Sequence, residues 1–162
     1  MKNKFYILED GSVHFKDEMI TQHLKEIGAK FKEVDESHPD VQKHIVRGYI
    51  ESGEFDLRIN EFIKQNRTIS FKNNDYICSK TATDEISKII QEKEILGHFQ
   101  GYWIDSKGND VKMNYDDFKK VSLQIGSHYR KLMRFKRLMK TKSFKTEKEI
   151  INLDLKTEWG KF

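Results

Sequence analysis

Several groups of residues in this chain have the types that chemistry uses. Six histidines, His14, His23, His38, His44, His98 and His128, offer imidazoles for metal binding or proton transfer. None forms an HExxH or HxH motif or a convincing His–carboxylate pair, so no metal is expected. His23 falls among the apolar positions of a helical pattern, where a packed side chain is expected. The adjacent carboxylates Glu9-Asp10, Asp35-Glu36 and Asp116-Asp117 have the chemistry for acid–base work. At turns and helix starts, however, such pairs more often form turns, cap helices or face solvent. Cys78 is the only cysteine and lacks a nucleophile signature, so core filling is its expected role. A lone cysteine also excludes an intramolecular disulfide and a cysteine-based zinc cluster, which fits a reducing compartment. Gly101 and Gly108 sit in a hairpin pattern rather than between a strand and a helix, so no phosphate-cradling loop exists. These residues point away from an enzyme, and no cofactor is expected.

The strongest signal is HYRKLMRFKRLMKTKSFK, residues 128–145, with eight Lys or Arg and no acid. Clustered cations are what phosphate binding requires. On a helical wheel Arg130, Lys131, Arg134 and Arg137 fall opposite an apolar stripe of Phe118, Val121, Ile125, Tyr129, Leu132 and Met133. An amphipathic helix places its solvated residues in the same way. Two residues break the pattern: Lys136 projects on the apolar side and Leu138 on the basic side. Either the helix bends or ends near Phe135, or this part meets another chain. Base stacking would need exposed rings, whereas Tyr129 and Phe135 fit packing. A solvated face, a protein partner and a nucleic acid therefore all stay open. Tyr102, Trp103 and Trp159 are the aromatic candidates for partner contact, and Trp103 in a hairpin also fits a core position.

The elements that must carry these residues belong to a small protein. The chain has 162 residues, 35% of them charged and 36% apolar, with a mean hydropathy of -0.77. Eleven Phe, six Tyr and two Trp supply enough burial for a folded core. The net charge of +4 hides an asymmetry, because Phe118–Thr146 carries ten Lys or Arg and no acid, leaving −6 for the remainder. No signal peptide or membrane-spanning run is visible, and a soluble intracellular protein is expected.

KFYILEDGSVHF reads as a hairpin turning at Asp10-Gly11. A helix follows from Asp17 to Gly28, and a second starts at Pro39 and stops at Gly53. Phe55, Leu57 and Ile59 alternate as in a strand. RTISFKNNDYICS reads as a hairpin turning at Asn73-Asn74-Asp75, and Thr83 as the cap of a short helix ended by Gly97. HFQGYWIDSKGNDVKM is the clearest hairpin, turning at Lys107-Gly108-Asn109. Asn114 caps the longest helix, with Asp117 at its third position. Thr146 and Glu149 form a capping box for a last short helix carrying Ile150, Ile151 and Leu153. The predicted fold class is α+β, three hairpins or a small antiparallel sheet with three to four packed helices. A loose border at 80/81 separates a mixed half (1–80) from a hairpin-plus-helix half (81–162), with a single compact unit as the alternative.

From Gly101 to Trp159 the pattern resembles a known family. An aromatic hairpin, YWIDSKGNDVKM, leads into the capped helix NYDDFKKV, then a short helix and the closing KEIINLDLKTEW. This resembles the C-terminal domain found on tail fibre and tail-associated proteins of bacteriophages and Mu-like prophages. The matching positions are Val111, Met113, Asn114, Asp117, Leu153, Asp154, Leu155 and Trp159. The sequence departs from that pattern at Gly160-Lys161, where the family has Pro, and in its more basic helix. KFYILEDGSVHF is similar, more weakly, to the hairpin opening phage tail fibre assembly proteins. The resemblance implies a non-enzymatic, tail-associated chaperone or adaptor that binds a tail fibre protein, in the host cytoplasm or on the virion, with no membrane partner. The alternatives are a nucleic-acid-binding phage protein using helix 128–145, and a phage factor that inhibits a host protein through its acidic half.

Overall fold

The computed structural model describes residues 3–162. The fold is α+β, with seven helices and three small antiparallel sheets among the described residues. Three to four helices were expected. Five of the seven match helices read along the sequence, at Asp17, Pro39, Thr83, Asn114 and Thr146; the other two come from a misread strand and from a short C-terminal helix that the sequence pattern did not show. No helix among the described residues is long and apolar enough to cross a membrane. The chain divides into two compact units, one formed by residues up to Leu57 with Lys142–Thr157, the other by Arg58–Thr141 with Glu158–Phe162.

In the first unit β1 (Lys4–Leu8) lies between β2 (Val13–Phe15) and β3 (Phe31–Asp35). Both neighbours are antiparallel to it, and Phe5 faces Phe15 on one side and Val34 on the other. Phe5, Val34 and Val41 form its core, with Ile7, Val13 and Ile45 packed against them. The β1–β2 hairpin forms as expected, and Gly11 takes the left-handed backbone (φ 82°) that the turn demands. Strand β3 escapes a reading by alternation because Phe31 and Val34 are three residues apart. Its charges are instead used along the sheet, with Lys16–Glu33 at 2.7 Å and Lys4–Asp35 at 2.6 Å.

Helix α1 (Glu18–Glu26) is capped by Asp17, whose Oδ1 accepts the Ile20 N–H at 2.7 Å. Only Leu24 of this helix is buried, while Met19 and His23 are exposed. The expectation of a packed His23 is thus corrected: its helix buries a narrower stripe than its apolar residues suggest. Helix α2 (Pro39–Glu51) begins at the proline, with His38 Nδ1 accepting the Asp40 N–H.

Phe55, Leu57 and Ile59 do not form a strand. They lie in α3 (Glu54–Gln65), which contains the border between the units. Phe55 and Ile59 are buried and Leu57 is 68% exposed, so the operative spacing is i, i+4 and not i, i+2.

In the second unit β4 (Thr68–Phe71) and β5 (Asn74–Ile77) pair with Phe71 opposite Asn74. The turn is therefore Lys72-Asn73, with φ of 48° and 65°, one residue earlier than expected. Two left-handed residues in a two-residue loop match the twist of the strands, as in a type I′ turn. Helix α4 (Lys80–Leu96) is capped by Ser79, whose Oγ accepts the Ala82 N–H at 3.1 Å. The cap is not Thr83; the Thr83 hydroxyl instead donates to the Lys80 carbonyl within the first turn. Gly97 closes the helix at φ 68°.

The third hairpin, β6 (Tyr102–Ile104) with β7 (Asp110–Lys112), leads into α5 (Tyr115–Lys140). Asn114 Oδ1 accepts the Asp117 N–H at 2.8 Å, and the helix runs unbroken for 26 residues. Tyr76, Cys78, Ile86, Trp103, Phe118, Val121 and Ile125 form one buried cluster. The β4–β5 hairpin thus shares a core with β6 and α5, which is why no border falls at 80/81. Thr146 caps α6 (Glu147–Ile151), and the chain ends on α7 (Leu155–Gly160).

Candidate partner-binding surface on the basic helix

Helix α5 places its buried residues with unusual regularity. Phe118, Val121, Ile125, His128, Leu132, Phe135 and Met139 are spaced alternately three and four residues apart, and all but His128 are at most 1% exposed. That heptad spacing keeps one seam facing inward along the whole helix. The helix does not end near Phe135, because Phe135 and Met139 carry the seam onward to Lys140. His128 fills its place with a polar contact, Nε2 donating to the Asn66 carbonyl at 2.7 Å, and its ring stands edge-on to Trp159.

The opposite face holds the cations. Arg130, Arg134 and Arg137 are exposed, and none of them joins an ion pair or side-chain hydrogen bond among the described residues. This contrasts with the start of the same helix, where Lys119 pairs with Asp116 at 3.0 Å and Lys72 reaches Asp117 at 2.6 Å. The Arg130 guanidinium lies back along the helix, with Nη1 3.4 Å from where a Cβ on Gly126 would stand. A side chain at 126 would compete for that space.

Two cations are placed by rings. Lys131 Nζ lies 4.5 Å from the Trp159 ring centre, and the Arg134 guanidinium carbon 5.5 Å from that of Phe162. Both distances are within cation–π range. Trp159 is half-buried and packs edge-on against Phe62, Phe135 and His128, while its ring is nearly parallel to Phe162 at 6.2 Å and 17°. The C-terminal aromatics therefore form a shelf beside the basic face and fix two of its charges.

Of the residues singled out in the sequence, Arg130, Lys131, Arg134 and Trp159 come together with Arg137 and Leu138 along this flank. Leu138 is 50% exposed, as its place on the basic side required. Lys136 is half-buried on the other side of the helix and does not join them. Trp103 is 7% exposed and packs edge-on against Phe118, so it is a core residue and not a partner contact. Tyr102 is partly exposed on β6, and no hydrogen bond or ring contact ties it to the basic face among the described residues. Phe162 and Leu123, which is 72% exposed on α5, were not singled out. Phe162 follows Trp159 by three residues, a helical spacing that could have linked them; Leu123 shows only as an apolar residue off the main stripe.

Other features compete poorly as sites. A polar cleft of about 700 Å³ near His128 is lined by both Glu61 and Asp75 and by Lys64 and Arg67, so it presents no single charge. Among the described residues no group of three or more His, Cys, Asp or Glu gathers as a metal site. Burial pushes the Cys78 thiol up to about 11, which leaves it protonated and unreactive near neutrality. No protein-family model matches the chain, and no curated protein or solved structure is significantly similar to it.

Proposed function

We propose that this chain is a non-enzymatic, tail-associated protein of a bacteriophage or prophage, acting as an assembly chaperone or adaptor that binds a tail fibre protein. The observation that carries a binding role is the α5 face, with three exposed arginines unpaired beside a shelf of rings. Exposed cations with no carboxylate partner give this face a positive field that would attract an external anion.

The phage assignment rests on the resemblance between Gly101 and Trp159, and the positions that carry it have structural work here. Asn114 caps α5, Met113 packs against the core, and Asp117 receives Lys72. Asp154 caps α7 by accepting the Lys156 N–H at 2.9 Å and the Thr157 hydroxyl at 2.5 Å. A pattern built on such residues specifies a scaffold, and the outward face of α5 is where individual members would differ. The basic departure of this chain lies on that face.

The test is co-expression of the tail fibre protein from the same phage or prophage with and without this chain. The expected result is a higher yield of folded, SDS-resistant fibre trimer with the chain present, and co-elution of the two on size exclusion. Equal trimer yield without the chain, together with no co-elution, would overturn the reading.

A further inference from the structure

We infer that the outward face of α5 takes an acidic amphipathic polypeptide segment, its carboxylates set on Arg130, Arg134 and Arg137 and its apolar side chains on Leu123 and Leu138. The inference rests on the protein-binding reading above and names the chemistry of what is bound.

Three observations favour a polypeptide over a nucleic acid. The first is the apolar content of the face. At roughly 100° per residue, positions 123, 130, 134, 137 and 138 fall within about a third of the helix circumference. Leu123 and Leu138 are 72% and 50% exposed. They stand at the two ends of the arginine run, about 22 Å apart at 1.5 Å per residue. A phosphate backbone gains nothing from two leucines, whereas an amphipathic helix or strand has apolar groups to cover them.

The second is the state of the rings. Sequence-tolerant binding of single strands uses open ring faces on which bases stack. Here Lys131 stands over Trp159, Arg134 over Phe162, and the two rings lie nearly parallel. Phe135 is fully buried and Tyr129 packs against the core.

The third is the preparation of Arg134. Its guanidinium carbon lies 5.5 Å from the Phe162 ring centre, and no ion pair or side-chain hydrogen bond engages its N–H groups among the described residues, so they remain available for bidentate carboxylate binding. Arginines at i, i+4 and i+7 form a row that matches carboxylates repeating at helical spacing on a partner.

The experiment uses fluorescence polarisation with the full chain and three labelled probes. These are a 20-residue peptide with Glu and Leu at i, i+3 and i+4 spacing, the same peptide with every Leu replaced by Ser, and a 20-nucleotide DNA in single- and double-stranded form. The Glu/Leu peptide is expected to bind at least tenfold tighter than its Ser counterpart and than either DNA. L123S/L138S should remove the difference between the two peptides, and R130E/R134E/R137E should abolish binding of both, with helical circular dichroism unchanged. Tighter binding of DNA, equal binding of the two peptides, or no binding of the Glu/Leu peptide would each overturn the inference. The same variants in the fibre co-elution assay separate the two claims. Fibre retained equally by wild type and both variants sinks the surface and keeps the fibre reading, while no fibre retained by wild type sinks the fibre reading alone.

Discussion

Lys131 and Trp159 provide a test of how the basic face is built, because they set apart a cation held by the fold from cations kept for a partner. Lys131 Nζ is 4.5 Å from the Trp159 ring centre, and both residues are half-buried. Cation–π pairs contribute about 0.5–1 kcal/mol at exposed sites and about 2 when desolvated, so this pair should contribute about 1 kcal/mol. The perturbation is a double-mutant cycle of Lys131→Met, which keeps an apolar stem along the helix, and Trp159→Leu, which keeps apolar bulk without the ring face. Urea unfolding followed by circular dichroism would give the four stabilities. Trp159→Leu alone should be the costlier change, since its ring also meets Phe62, Phe135 and Phe162. The expected coupling energy is about 1 kcal/mol, retained in 0.5 M salt because the contact is short and partly shielded. Coupling below about 0.3 kcal/mol, the level at which independent sites simply add, would refute the contact. Lys131→Met should then lower stability and leave the affinity for an acidic probe within about twofold, whereas loss of Arg130 or Arg137 should do the opposite.

Asn114→Ala removes the oxygen that accepts the Asp117 N–H and should cost about 1 kcal/mol, read as a lower urea midpoint with an unchanged slope. Asn73→Gly relieves a left-handed residue at φ 65° in the two-residue turn; it should stabilise by about 0.5 kcal/mol, and a destabilised variant would contradict the turn. Cys78 should resist iodoacetamide at pH 8 in the native state and react only on unfolding, because its thiol is shielded and its pKa is raised from 9.0 to about 11. The folded state holds that proton more tightly than the unfolded one, so its contribution is constant below pH 9 and is lost as pH rises toward 11. Tyr76, raised chiefly by burial, acts in the same direction. A thiol raised from 9.0 to about 11 contributes at most about 3 kcal/mol, and Cys78→Ala should flatten this alkaline limb in stability measured from pH 8 to 11.

Where the sequence was legible, a local rule had no competitor. The Asp10-Gly11 turn, the Pro39 helix start, the Gly97 stop and the Asn114 cap each depend on a few adjacent residues with one favoured conformation. Phe55, Leu57 and Ile59 fit both a period of two and part of a period of 3.6, and burial decided between them. Leu57 faces solvent, so the residues that count are Phe55 and Ile59, with Phe62 continuing the line. Strand β3 was invisible for the opposite reason. FKEVD has no period of its own, and its extended form comes from pairing along the whole length of β1, a non-local interaction that outweighs weak local propensity.

The basic face was half legible, and the division has a physical cause. A helical wheel assigns direction, so Arg130, Arg134, Arg137 and Leu138 were placed outward correctly, and Lys136 stood out as misplaced. A wheel does not say what lies beyond the helix. The shelf of Trp159 and Phe162 sits more than 20 residues downstream in sequence, and it converts Lys131 and Arg134 from two equivalent cations into ring-bound ones. It also explains why the helix continues past Phe135, where the sequence left open a bend, an end or a contact with another chain. Phe135 meets Phe62, Trp159 and Phe162, and these contacts carry the buried seam through to Met139. Lys136 interrupts the apolar side without ending the helix because a half-buried lysine can lay its stem along apolar surface and keep its ammonium in water. The irregularity that suggested a partner at Lys136 is thus resolved within the fold. The one that persists is Leu138, and with Leu123 it is why the partner of this face should be sought among acidic polypeptides.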